Sequence, residues 1–166
     1  MNATLDVRPV DTPQAVARVA ELARQIWREH FTPIIGPGQV DYMLEKFQSA
    51  EAVTRQMEQG YRYFLLARGG TEVGYLGFRL EEERLFLSKL YVIAQRRGTG
   101  IGRAAVDFLC DLARREGARS IDLTVNRHNH GSIAAYRRLG FSITGEVKQD
   151  IGGGYVMDDY QMRRSV

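Results

Sequence analysis

This sequence contains one cysteine, lacks long apolar runs and shows no leader-like pattern in its first residues. Its single cysteine, Cys110, leaves no partner for an internal disulfide and excludes a cysteine-based zinc site, so the fold must depend on packing. Nowhere do about eighteen apolar residues follow one another, and Met1–Asp6 carries neither a basic region nor an apolar run. We therefore expect a cytoplasmic protein that is neither secreted nor inserted in a membrane.

A large excess of charge of one sign is also missing. Lysine and arginine number 23 against 20 aspartate and glutamate, which leaves a formal charge of +3. The two signs alternate along the chain, and neither an aromatic platform nor a basic helix accompanies them, so we expect no nucleic-acid partner. The 166 residues, 44% of them hydrophobic, are enough for one core, which predicts a single domain over residues 1–166.

Helical and strand-like apolar patterns follow one another in the order β-α-α-α-β-β-β-α-β-α-β-β, which predicts a mixed α/β fold. Strands are predicted at 5–10, 61–67, 73–80, 85–92, 121–125, 141–147 and 155–162. Helices are predicted at 13–30, 40–47, 50–59, 98–116 and 131–139. Thr12 and Ser49 are suitable N-caps, and Gly60 is a suitable helix stop. Residues 31–38 are expected to form an irregular apolar loop.

A turn rich in glycine and arginine, residues 95–103, follows the fourth predicted strand. Glycine allows successive backbone N–H groups to point into one cavity, and a helix N-terminus adds partial positive charge. Arg96, Arg97 and Arg103 supply formal charge and forked donors. The pattern is typical of a site for pyrophosphate.

Three interpretations of this turn compete. A P-loop is excluded, because Gly102-Arg103-Ala104 stands where Gly-Lys-Ser/Thr is required. A dinucleotide fingerprint matches Gly100–Ala105, but residues 93–97 separate it from the strand, and Asp122 lies inside the next strand instead of ending it. A turn whose glycines serve only the chain reversal remains the third interpretation.

Two segments together resemble the GNAT superfamily of N-acetyltransferases. The first is Gln95-x-x-Gly98-x-Gly100 after Leu90-Tyr91-Val92, which looks like the acetyl-CoA signature of that superfamily. The second is residues 126–141, similar to its Asn-x-x-Ala/Ser-x-x-x-Tyr-x-x-x-Gly-Phe segment. Their order and separation agree with the superfamily, which implies a GNAT fold: a mostly antiparallel central sheet, flanked by helices and splayed between strands 4 and 5.

The resemblance implies that acetyl-CoA is the cosubstrate and assigns residues to it. The Val92 N–H would polarise the acetyl carbonyl, and the Tyr136 hydroxyl would protonate the leaving thiolate as general acid. Backbone from Arg97 to Arg103 would hold the pyrophosphate. The full cofactor-binding set is Leu90, Tyr91, Val92, Arg97, Gly98, Thr99, Gly100, Ile101, Gly102, Arg103, Asn129 and Tyr136.

A narrower likeness concerns the substrate. Residues 41–44 and 154–162 resemble segments of bacterial members of the superfamily. The chain as a whole is similar to bacterial polyamine and small-amine acetyltransferases, which implies transfer to a primary amine, and a homodimer is expected because dimers are common among such proteins. Protein or peptide N-acetylation is the alternative substrate class, and a non-catalytic acyl-CoA sensor is the alternative function. A cationic amine could be received by Glu29, Asp41, Tyr42, Asp158 and Asp159, or these could be ordinary surface residues.

Other polar clusters point to no chemistry by themselves. Glu81, Glu82 and Glu83 are typical of a solvated turn, so we assign them no role and the general base is not identified. His128 and His130 have the spacing of a metal pair but no third ligand, and we expect no metal.

Overall fold

The computed structural model of the chain describes residues 4–166, so the first three residues of the Met1–Asp6 segment lie outside it. The described residues form seven strands: β1 Leu5–Pro9, β2 Arg62–Arg68, β3 Thr71–Glu81, β4 Arg84–Val92, β5 Ser120–Asn126, β6 Ser142–Gly152 and β7 Tyr155–Ser165. Their helices are α1 Pro13–His30, α2 Thr32–Ile35, α3 Pro37–Phe47, α4 Ala50–Glu58, α5 Ile101–Arg115 and α6 His130–Arg138. Of the helices in this range, none combines the length and the apolar character that a bilayer crossing needs.

The seven strands hydrogen-bond in the order β1-β2-β3-β4-β5-β7-β6. Pairs joined by short turns are antiparallel, as in β2–β3 and β6–β7. β4 and β5 are parallel from Arg84↔Ser120 to Phe86↔Asp122, because α5 carries the chain back before β5 begins. The predicted α/β fold with a mixed, mostly antiparallel sheet is confirmed.

Helix ends agree with the local sequence signals. The Thr12 hydroxyl accepts a hydrogen bond from Ala15 N at 3.1 Å, and the Ser49 hydroxyl accepts one from Ala52 N at 3.2 Å. Gly60 follows α4 with φ of +98°, the left-handed conformation that glycine adopts without strain. These three predictions are confirmed.

The predicted irregular loop at residues 31–38 is wrong. Helix α2 occupies Thr32–Ile35 and α3 already begins at Pro37, so four helices and not three precede β2. Pro33 and Pro37 each stand in the first turn of a helix, where the missing N–H costs no hydrogen bond. Two prolines of the segment expected to be a loop therefore stand at helix starts, separated by Gly36 at φ +84°.

The described chain divides into two compact units. The first contains the described residues up to Arg79 together with Lys89–Ala105, and the second contains Leu80–Ser88 and Val106–Val166. Each has its own buried apolar residues: Val19, Ala23, Leu66 and Tyr75 in the first, Val106, Leu109, Ile121 and Met162 in the second. The single domain over residues 1–166 stays a prediction.

Candidate functional site

Strand β4 ends, in the first unit, at a peptide that another strand approaches closely. A Cβ atom on Gly74 of β3 would lie 2.2 Å from the Tyr91 carbonyl oxygen and 3.1 Å from Val92 Cα. Any side chain there would displace the peptide that carries the Val92 N–H, the group expected to polarise the acetyl carbonyl. Gly74 is a residue that motif reasoning missed, although an isolated glycine in a strand is a signal of close backbone approach.

The next peptide is held at both of its ends. The Val92 carbonyl accepts a hydrogen bond from Arg97 Nε at 3.2 Å, and Ile93 N donates to the Val73 carbonyl at 2.9 Å. Arg97 Nη1 lies 3.2 Å from Nδ1 of His30, the last residue of α1. The forked donors of Arg97, which we expected at an anion, thus contact the end of β4 and the end of α1, and the role of Arg97 at the cofactor stays a prediction.

The glycine-rich turn has a defined conformation that side chains support. Gly98 and Gly100 have φ of +74° and +87°, values that other residues rarely adopt. The Thr99 hydroxyl donates to the Arg96 carbonyl at 2.6 Å, and Arg68 Nη1 donates to the Thr99 carbonyl at 2.9 Å. These bonds within the chain shape the exposed turn.

Helix α5 begins directly after this turn. Ile101 is buried, so its side chain anchors the helix start and only its backbone can contact a ligand. The Gly100 carbonyl accepts the first helical hydrogen bond, from Ala104 N at 3.0 Å. The N–H groups of the first turn, including those of Gly102 and Arg103, have no partner within a helix and can bind an anion.

Tyr91 lies among aromatic rings of the first unit. Its ring centroid is 5.5 Å from those of Trp27 and Tyr75 and 6.0 Å from that of Phe31. Such edge-on and tilted contacts stabilise a fixed orientation of the strand end. The predicted cofactor residues Leu90, Tyr91 and Val92 are half-buried.

Asn129 and Tyr136 belong to the second unit. Asn129 directly precedes α6, and Tyr136 lies on α6. Asn129 is buried, and its side-chain oxygen accepts a hydrogen bond from Ser132 N at 3.4 Å as the N-cap of α6. Its own N–H donates to the Asn126 carbonyl at 2.9 Å, which shapes the turn after β5. The Asn129 role at the cofactor arm stays a prediction, and capping explains part of why asparagine stands here.

Tyr136 is half-buried, and its ring meets that of Phe141 edge-on at 5.4 Å. Burial raises the pKa of Tyr136 above that of a free phenol. The hydroxyl is protonated at neutral pH, as a free phenol is, and burial makes it a weaker acid than a free phenol. A general acid here would give up its proton only as negative charge develops on the sulfur.

The two acids in the first half of β7, Asp158 and Asp159, differ in exposure. Asp158 accepts a hydrogen bond from Arg127 Nε at 2.8 Å and forms a surface ion pair with it. Asp159 is buried, and burial raises its pKa to about 6 against the opposing hydrogen bond from Thr124. Arg127 also lies 3.4 Å from Glu146 of β6.

The remaining substrate candidates are spread over the first unit. Glu29 and Asp41 are exposed, and the Tyr42 hydroxyl accepts a hydrogen bond from Lys46 Nζ at 3.2 Å. These three residues stay predictions.

The acidic turn Glu81–Glu83 and the pair His128 and His130 were assigned no role from the sequence. Glu81–Glu83 lie where β3 joins β4, at the end of β4 opposite Val92. Arg84 pairs there with Glu81, and Arg119 pairs with Glu83. The His128 and His130 rings are 6.4 Å apart. Within residues 4–166, no three histidine, cysteine, aspartate or glutamate side chains converge to hold a metal ion.

Lys89 is a buried residue that sequence reasoning missed. Its Nζ donates to the Phe47 carbonyl and, at 3.0 Å, to the Gln56 side chain, and it lies over the Tyr63 ring. Burial lowers the pKa of Lys89 to about 7. A signal was present, because Lys89 continues the buried alternation of Leu85 and Leu87 along β4.

The family model described as the acetyltransferase (GNAT) family matches residues 20–141, most of the chain and both motif segments. The chain belongs to this family. The family resemblance read from the sequence is therefore confirmed, and with it the choice of acetyltransferase over a dinucleotide-binding fold. The narrower likeness to polyamine acetyltransferases stays a prediction.

Curated relatives of this GNAT chain match parts of it. Streptothricin acetyltransferase of Streptomyces lavendulae is 40% identical over 63 residues, which cover 38% of this chain and 33% of that protein. N-acetyltransferase 8 of Rattus norvegicus is 30% identical over 100 residues, covering 57% of this chain and 45% of that protein. The chain thus spans less than half the length of these relatives.

Solved structures share the GNAT fold over the whole chain. The PaiA N-acetyltransferase from Thermoplasma acidophilum, in complex with coenzyme A, superposes with a TM-score of 0.80. It is 17% identical, and the match covers 98% of this chain and 99% of that one. At this identity the likeness shows the fold alone.

Proposed function

We propose that this protein transfers the acetyl group of acetyl-CoA directly to a primary amine, and that the amine belongs to a small polyamine-like molecule. The observation that carries the proposal is the turn of Gly98–Arg103 at the start of α5, shaped by bonds within the chain, in a member of the acetyltransferase family. Its backbone N–H groups suit the pyrophosphate of acetyl-CoA.

In the proposed reaction the amine nitrogen forms a bond to the acetyl carbon while the bond from that carbon to sulfur breaks. The Val92 N–H stabilises the negative charge on the carbonyl oxygen, and the close approach of Gly74 supports the position of that peptide. The Tyr136 hydroxyl, which like any phenol is protonated at neutral pH, gives its proton to the departing thiolate.

The substrate class comes from the likeness of the chain as a whole to small-amine acetyltransferases and from the acids in residues 41–44 and 154–162, which could receive a cationic amine. A cytoplasmic setting and a homodimer also stay predictions, and light scattering on the purified protein tests the second.

Thiol release tests the function directly. Purified protein with acetyl-CoA is mixed with linear polyamines, diamines, peptides with free N-termini and lysine peptides, and free CoA is followed with a thiol reagent. We expect release with the polyamines. Release with peptides alone would move the substrate class to proteins, and saturable acetyl-CoA binding without release from any amine would favour a sensor.

Tyr136→Phe tests the general acid. We expect turnover to fall by about tenfold or more, because the leaving thiolate loses its proton donor, while acetyl-CoA still binds. Calorimetric titration with CoA checks the binding. Tyr61→Phe, on a tyrosine outside the proposed site, is the matched control, and an unchanged rate in Tyr136→Phe would remove Tyr136 as the acid.

A further inference from the structure

Acetyl transfer to an amine needs a group that removes a proton. A primary alkylammonium has a pKa of about 10.4, so at neutral pH most of the substrate cannot attack the thioester. Tyr136 donates a proton and cannot fill this role. Among the described residues, the buried carboxyl groups are those of Asp122 and Asp159.

Asp122 is committed to ion pairs. Its carboxylate accepts two hydrogen bonds from Arg163, both at 2.8 Å, one from the Ser120 hydroxyl at 2.9 Å and one from Arg84 at 3.2 Å. It lies near the amino end of β5. A carboxylate held by four donors is a poor proton acceptor.

Asp159 lies at the other end of the same strand pair. Its partner in the β5–β7 register is Asn126, the last residue of β5, and its side chain is 4% exposed. The Thr124 hydroxyl donates a hydrogen bond to it. Arg127, which could neutralise it, directs Nε to Asp158 instead.

This position is next to a segment already expected in the site. The turn from Asn126 to Asn129 is closed by the bond from Asn129 N to the Asn126 carbonyl at 2.9 Å, and Asn129 is a predicted contact of the cofactor arm. The strand pairing therefore brings Asp159 to the start of that turn.

We propose that Asp159 is the general base, which accepts the proton that the amine substrate loses as its nitrogen attacks acetyl-CoA. The inference rests on the proposed function. The ammonium proton passes to the Asp159 carboxylate, the freed lone pair forms the bond to the acetyl carbon, and the bond to sulfur breaks. The thiolate takes its proton from Tyr136, and the second proton that the nitrogen loses as the amide forms restores the Tyr136 hydroxyl. Asp159 releases its proton to solvent, so that ammonium and acetyl-CoA give the acetylated amine, CoA thiol and one proton.

The electrostatic surroundings suit a base that works near neutral pH. Burial raises the pKa of Asp159 to about 6, and the charge of Asp158 adds to this, while Thr124 and Arg127 oppose it. From β6, Val147 is the register partner of Asp159, with Glu146 and Lys148 on either side of it. The carboxyl is ionised at pH 7 and still more basic than an exposed aspartate.

The test measures kcat/KM against pH for thiol release with acetyl-CoA and spermidine. The variants are Asp159→Asn and Asp159→Glu, with Asp111→Asn as the control because Asp111 is an exposed aspartate on α5. Circular dichroism checks folding, and calorimetric titration with CoA checks the cofactor site.

In the parent protein we expect kcat/KM to fall as pH drops below about 6, because the base becomes protonated. Asp159→Asn should lower kcat/KM by about a hundredfold at neutral pH while CoA binding stays intact. Its kcat/KM should lose the acid limb, which is the fall below about pH 6, and should instead rise with pH in proportion to the fraction of substrate present as free amine. Asp159→Glu should keep the limb, and Asp111→Asn should match the parent.

Three results would overturn the proposal in different ways. A parent protein that turns over spermidine while Asp159→Asn keeps both its rate and its acid limb removes Asp159 as the base and leaves the proposed function standing. A parent protein that releases no CoA with any amine contradicts the proposed function and the base together. An Asp159→Asn protein that is folded but has lost CoA binding shows a structural role instead.

Discussion

Asp122 and Asp159 are buried carboxyl groups of the paired strands β5 and β7, and their surroundings move their pKa values in opposite directions. Burial acts to raise the pKa of Asp122, but hydrogen bonds from Arg163, Ser120 and Arg84 outweigh it and hold the pKa below its ordinary value. For Asp159 burial prevails, since Thr124 is its hydrogen-bond donor, and the pKa rises to about 6.

The comparison shows that burial by itself does not distinguish a structural carboxylate from a candidate catalytic one. The number of cationic side chains that donate hydrogen bonds to the carboxylate distinguishes the two. At Asp122 two arginines compensate the desolvation of the charge, and the network joins the ends of β4, β5 and β7. At Asp159 the desolvation is only partly compensated, which leaves a group that can exchange a proton near neutral pH.

Asp122→Asn should produce the largest loss of stability. Removing the charge leaves Arg163 without its carboxylate and Arg84 with Glu81 as its remaining partner. We expect the free energy of unfolding to fall by about 3 kcal/mol, the low end for a buried pair, because both arginines are half exposed. Urea denaturation measures it. The folded variant should still acetylate amines, and a variant as stable as the parent would contradict the structural role.

Lys89 extends the comparison to a buried cation of the first unit. Burial lowers its pKa to about 7, whereas the unfolded chain keeps a value of about 10.4. Above about pH 7 the unfolded state therefore binds more protons than the native state, so stability should rise with pH. Between about pH 7 and about pH 9 we expect a gain of about 2 kcal/mol.

Lys89→Met should lose this gain, and denaturation curves at the two pH values test it. The control is Lys148→Met, because Lys148 is an exposed lysine. If Lys89→Met keeps the same dependence on pH as the parent, the ionisation of Lys89 is not its source.

Thr124→Val should have the smallest effect of these substitutions, a shift in the pKa of Asp159. The Thr124 hydroxyl stabilises the charged carboxylate, so its removal should raise the pKa of Asp159 and move the acid limb of kcat/KM upward by about half a pH unit. Valine keeps the shape of the side chain. Thr144→Val on β6 is the control, and an unmoved limb in Thr124→Val would separate this hydroxyl from the proton transfer.

Features that depend on neighbouring residues were predicted well. The caps at Thr12 and Ser49 and the stop at Gly60 are local, since each acts within one helical turn. The same local reasoning failed at Pro33 and Pro37, because a proline signals a helix start and a loop equally well. The motif segments predicted the family because their spacing carries more information than any single residue.

Features that depend on residues distant in the chain could not be predicted from the sequence. Asp158 and Asp159 are adjacent in the chain and looked equivalent, yet one pairs with Arg127 at the surface and the other is buried beside Thr124. Lys89 could have been found from the alternation of β4, but its partners lie more than thirty residues away.

The sequence by itself determined the order of strands and helices along most of the chain, the glycine-rich turn and the acetyltransferase family, because periodicity, turn chemistry and motif spacing are written along the chain. Only the tertiary structure decided which charged side chains are buried and which partners they meet. The strand register determines these partners, because it places Asn126 opposite Asp159 and Arg163 opposite Asp122. No local pattern contains that pairing, and the environment of each carboxyl follows from it.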